Sequence, residues 1–169
     1  MQGYGAGVRG LGERRGLRET AREHALLPLR FFLGITFVYA GLDKLTDSSF
    51  FRATGPGSIG ETMHAVRDSS AIPALVDLAL KSPGAFGYAI AVGEVLVGLG
   101  TFFGLWGRLA ALGGALISLS LWLTVSWAVT PYYFGNDLAY LMGWLPLVLA
   151  GSGAFSLDAF LAARRRRIR

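Results

Sequence analysis

From Ala85 to Leu105 the chain carries a single charged residue, Glu94, and from Leu109 to Val129 it carries none. A bilayer core is crossed by about 20 apolar residues in helical form. Runs of that length point to membrane-spanning helices and away from strands or a soluble α/β fold. Two further segments fit the pattern, so the expected spans are about 26–43, 84–105, 108–129 and 137–153. The last is short unless it extends through Gly151, Ser152 and Gly153 into Phe155. The fold class this implies is all-α, an integral membrane four-helix bundle.

The charges lie outside these runs. Arg9, Arg14, Arg15, Arg18 and Arg22 precede the first span, Arg30 opens it, Arg108 follows the second, and Arg164, Arg165, Arg166, Arg167 and Arg169 close the chain. In a four-span arrangement all of these fall on one side. The other side holds only Lys44, Arg52, Arg67 and Lys81. Lys and Arg bias loops toward the cytoplasm, so both ends are expected there. The chain divides into a basic cytoplasmic tail (1–25), a membrane domain (26–163) and an Arg-rich tail (164–169). The first span follows a long polar lead, and Gly41-Leu42-Asp43-Lys44 offers no small-residue cleavage site, so it reads as retained. A net charge of +5 would suit nucleic acid, but basic residues flanking spans serve topology and contact with anionic lipid.

The outer connection, 43–83, is the only long one. Ser58-x-x-Glu61 reads as a capping box opening a short helix with Ile59, Met63 and Val66 on one face. Ser70 is expected to cap a second, carrying Ile72, Leu75, Val76, Leu78 and Ala79. Both are expected in the interface, roofing the bundle mouth. Lipid does not drive helices together, so small residues must let backbones approach. Gly34 and Gly41 do so on the first span, Gly87, Ala91, Gly98 and Thr101 on the second, and Gly107, Ala111, Ala115 and Ser118 on the third.

The chain has no cysteine and two histidines, His24 and His64, neither in an apolar run. Disulfides, thiolate metal sites and iron–sulfur ligation are thereby excluded for this chain, bis-histidine haem is not expected, and no metal site is expected. The chemistry falls to intramembrane polar groups. Glu94 sits near mid-span, where a carboxylate costs several kcal/mol unless neutral or paired. It is either a proton donor or acceptor beside a bound quinone, or a protonated carboxyl bonding between helices. Lys44 either snorkels to the outer interface, pairs Glu94 or Asp137, or attracts an anionic substrate. Asn136, Asp137, Tyr140 and Trp144 cluster at the start of the fourth span, the last three sharing one face. Tyr140, Trp144 and Asn136, with Glu94, have the donors and flat walls a quinone headgroup requires. Trp127, Tyr132 and Tyr133 read as interfacial anchors. At the inner side Asp158 is expected to pair with Arg30 or Arg108 and lock the helix ends.

These residues resemble a known family. The run from Leu29 to Lys44 is similar to the opening helix of the DoxX/DoxD family. So are Gly93-Glu94 with Gly98-Leu99-Gly100-Thr101, Gly107-Arg108-Leu109-Ala110-Ala111, Pro131-Tyr132-Tyr133 with Gly135-Asn136-Asp137 and Tyr140, and Gly153 with Ser156-Leu157-Asp158. The resemblance runs from about residue 26 to 162 and is greatest to DoxD, the small membrane subunit of thiosulfate:quinone oxidoreductase. It implies oxidation of thiosulfate, with electrons passed to a membrane quinone, and a second, DoxA-like subunit. Lys44, Glu94 and Asp137 are then the expected catalytic residues. The alternative is a noncatalytic anchor or assembly subunit of a larger redox complex. A homo-oligomer suits either. A small transporter is disfavoured because no inverted repeat or broken-helix pair is evident.

Overall fold

The computed structural model describes residues 24–151, 153 and 155–167. The N-terminal arginines Arg9 to Arg22, Ser152 and Arg169 lie outside the described residues. Among those described there are seven α-helices and no strand. They are α1 (Leu27–Thr46), α2 (Ile59–Val66), α3 (Pro73–Leu80), α4 (Pro83–Phe103), α5 (Gly107–Thr124), α6 (Asn136–Ala150) and α7 (Leu157–Arg167).

Proline opens α1, α3 and α4 in the first turn, where its missing N–H costs nothing. Ser58 caps α2 by accepting from the Glu61 N–H at 3.2 Å, as the capping pattern predicts. Ser70 does not cap α3. Its hydroxyl accepts from the Ile72 N–H and donates to the Leu123 carbonyl, so it ties the loop to α5, and Pro73 starts the helix instead.

The ends of the apolar segments differ from their expected positions for local reasons. α1 continues to Thr46, so Asp43 and Lys44 lie within the helix. α5 stops at Thr124, and the chain turns at Ser126 toward α6. α6 ends at Ala150 because Gly151 adopts φ +82, and the extension toward Phe155 does not form. α7 runs through Arg164 to Arg167, so the expected division after residue 163 falls inside a helix.

α1 lies along α4 and α5 along α6, while α4 meets α5 and α1 meets α6. Leu33, Phe37, Ala111, Ala115, Trp144 and Leu147 form one shared core. The α1–α4 contact depends on glycine. A Cβ on Gly98 would stand 2.6 Å from the Val38 nitrogen, and one on Gly41 2.6 Å from the Ala91 carbonyl oxygen. Backbone meets backbone there, and nothing flexible can give way.

Burial in α4 is inverted relative to a soluble helix. Its buried residues are Gly87, Ala91, Glu94, Gly98 and Thr101, whereas Leu96, Leu99 and Phe103 are exposed. Over the far end of the core, α2 and α3 close on Ile59, Met63, Val76 and Ala79, with Phe50, Phe86 and Val125 against them. This hairpin is the roof expected from the outer connection.

Candidate functional site

Glu94 projects from the small-residue face of α4, between glycine contacts that hold α1 close. It is 4% exposed. Lys44 comes from the last turn of α1. Side chains in a helix lean toward its N-terminus, so Lys44 points back along α1 into the packed interior. Its Nζ donates to Glu94 Oε1 at 3.1 Å and Oε2 at 2.9 Å, and to the Ala40 carbonyl at 3.3 Å. Of the roles open to Lys44, the structure takes the pairing with Glu94.

Asp137 lies in the first turn of α6. The Ser126 hydroxyl donates to its Oδ2. The charge of Lys44 acts on Asp137, and that of Asp137 acts on Glu94, so the three groups share one neighbourhood. Ser126 was not foreseen from the sequence. It lies in a connection with no motif, and only the return of the chain into α6 brings it to Asp137.

The aromatic cradle expected for a quinone ring does not assemble from Tyr140, Trp144 and Asn136. Trp144 has no exposed surface. Its ring fills the space where a Cβ on Gly114 would stand and meets Phe37 edge-on at 4.9 Å. Gly114 was missed as its seat, although its position three residues after Ala111 places it on the same α5 face. Tyr140 is half-buried, with Phe37 at 5.9 Å and Phe32 stacked at 6.3 Å. Asn136 is exposed. Trp144 is therefore a core residue, with neither ring face free for a ligand.

The roof carries its own ion pair. Arg67 Nε and Nη2 donate to Asp77 Oδ1 and Oδ2 at 2.5 and 3.1 Å. Hydrogen bonding by this guanidinium holds the Asp77 carboxyl below its ordinary value. The pair joins the end of α2 to α3 on the solvent side.

At the opposite end, Asp158 accepts from the backbone N–H groups of Trp106 and Gly107, both at 2.9 Å. It thereby caps the start of α5 from a remote helix. Buried Arg30 donates to the Phe155 carbonyl at 2.7 Å. Arg108, expected as a partner of Asp158, makes no ion pair or hydrogen bond among the described residues. The reason is geometric: Asp158 faces the turn's N–H groups, while Arg108 is exposed and lies along Gly151. The helix ends are thus tied through main-chain groups.

The DoxX family signature matches residues 25–127, well over half of the chain. This protein belongs to the DoxX family. DoxX is a membrane protein family often associated with oxidoreductase-related functions. The matched stretch contains Lys44, Glu94, the roof and Ser126, and ends before Asp137, Tyr140 and Trp144. Comparison with curated proteins and with solved structures found no match. Among the described residues of this DoxX protein two helices, α4 and α5, are long and apolar enough to cross a membrane.

Proposed function

We propose that this DoxX protein is a four-span integral membrane protein and the membrane subunit of a quinone-linked oxidoreductase, with thiosulfate as the electron donor. The observation that carries the reading is the Lys44–Glu94 ion pair, with Asp137 beside it, held inside a molecule whose outward side chains are apolar. Phe32, Ile35, Leu96, Leu109, Leu116 and Leu149 are all more than half exposed. Water penalises such a surface, and lipid accepts it. An ion pair inside a membrane is expensive and marks function by default.

α1 has the length of a span and misses the composition of one through Arg30, Asp43 and Lys44. α6, with 15 residues, reaches only about 22 Å. A span that short is accommodated by local thinning of the bilayer. Arg30, Arg108 and the α7 arginines then face the cytoplasm, and the roof and ion pair face outward.

Two thiosulfate ions each give up one electron and join through a new S–S bond as tetrathionate. A membrane quinone would supply the oxidant, taking the two electrons with two protons as its quinol. The residues of this chain serve the protons and the anion. Glu94 and Asp137 hold and pass a proton at their carboxylate oxygens. Arg52 of the outer connection, exposed to the outside, draws the dianion. A DoxA-like partner subunit completes the assembly. Thiosulfate-dependent quinone reduction in membranes with and without the chain tests the proposal. Lys44→Ala and Glu94→Gln are each expected to lower the rate about a hundredfold; normal rates in both overturn the assignment.

A second reading is a noncatalytic assembly subunit. The closed seat of Trp144 favours it, since that ring is spent on packing. A folded, inserted chain that adds no activity yet retains a soluble redox partner on purification would establish it.

A further inference from the structure

The face of the molecule that carries Arg108 holds two adjoining depressions. One, of about 750 Å³, is lined by Trp106, Arg108, Gly151, Ser156 and Asp158 among others. The other, of about 520 Å³, follows the seam between α4 and α5 and is walled by Leu96, Leu99, Phe103, Leu105 and Leu109. Trp106 and Leu109 line both, so a mostly apolar hollow edged by Arg108, Ser156 and Asp158 leads directly into a second, almost wholly apolar one.

We infer that the two form a single binding site for an anionic phospholipid, its headgroup at Arg108 and an acyl chain along the α4–α5 seam. The inference rests on the membrane placement proposed above. Charge argues for the headgroup. Arg108 has no hydrogen bond or ion pair among the described residues, and exposed Arg164, Arg165 and Arg166 follow on α7. Among the described residues lining the hollow the one acidic group is Asp158, which turns both oxygens to the N–H groups of Trp106 and Gly107. Its charge is therefore engaged with the α5 terminus and opposes an incoming anion less.

Arg108 is also placed by the fold. Gly151 has no Cβ, and the Arg108 Nε and Cγ lie 3.3 and 3.4 Å from where one would stand. The side chain is seated across the end of α6. Trp106, 71% exposed, stands between the two hollows, where an indole prefers the boundary of headgroups and hydrocarbon. The walls of the second hollow are almost entirely aliphatic and aromatic, the chemistry of an acyl chain.

The test uses the full chain, purified in detergent, with native mass spectrometry against phosphatidylglycerol and phosphatidylcholine of identical acyl chains. Phosphatidylglycerol is expected to be retained preferentially. Arg108→Gln should weaken it about fivefold, one surface cation's share, and leave phosphatidylcholine unchanged. Leu99→Trp, at an exposed position in the apolar hollow, should weaken both lipids. Equal retention of the two lipids by the unaltered chain, or an Arg108→Gln chain that keeps its preference, overturns the site. Release of the chain from membranes by carbonate would overturn the membrane reading and the lipid site together. An inserted chain without lipid preference overturns the lipid site alone.

Discussion

At the scale of single residues, Lys44 and Glu94 behave as one unit. Glu94 is buried, Lys44 is a quarter exposed, and each supplies the opposite charge to the other. Removing one leaves an uncompensated charge in a low dielectric, whereas removing both leaves an apolar contact. Glu94→Leu and Lys44→Met are each expected to destabilise the protein by about 3 kcal/mol, and the double variant by much less. Thermal unfolding of the detergent-solubilised protein measures all three. Additive losses in the double variant would show that the two residues are not coupled. Sequence position marked Glu94 as a mid-span charge and Lys44 as one at the outer end of the first span, with three roles open to it. The choice came from α1 extending to Thr46, which sets the Lys44 stem pointing back toward Glu94.

At the scale of elements, the close approach of α1 and α4 is the contact on which the site depends. It brings Lys44 and Glu94, from helices distant in sequence, within hydrogen-bonding reach. Gly98→Ala places a methyl 2.6 Å from the Val38 nitrogen and 2.8 Å from the Gly34 carbonyl oxygen. The helices must separate, at a cost of about 2 kcal/mol, the usual scale of overpacking. We expect a lower unfolding temperature and, if the proposed function holds, a lower turnover, because the ion pair opens with the seam. An unchanged unfolding temperature would mean that the seam is looser than it stands here. Small-residue spacing made this seam legible, because glycine and alanine four and seven apart must share a helix face. Ser70 and Ser126 were not legible in their roles. Both hydroxyls bond groups that are remote in sequence, and no local spacing encodes a remote partner.

At the scale of the whole molecule, the proposed four-span arrangement puts the Arg108 turn and α7 on one side of the membrane and the α2–α3 roof on the other. The chain has no native cysteine, so single introduced cysteines report cleanly. Cysteines at Ala71 and His64 should react with an impermeant thiol reagent in intact cells, and one at Ala162 only after lysis. All three are exposed positions. Labelling of position 162 in intact cells would reverse or break the arrangement. The same experiment bears on α6, whose 15 residues are the shortest of the proposed spans.

The sequence by itself determined the helices, the faces that pack, the roof and its Ser58 cap, and the resemblance to DoxX. These follow from periodicity, proline and glycine placement and charge, all of which act within a turn or two of the chain. Only the tertiary structure decided that Lys44 pairs with Glu94, that Asp158 caps the α4–α5 turn while Arg108 stands apart, and that Trp144 fills the space above Gly114. Such outcomes depend on which helix faces which and how closely. A residue's own neighbours in sequence fix its face, whereas its partner across an interface is fixed by the packing of the whole chain.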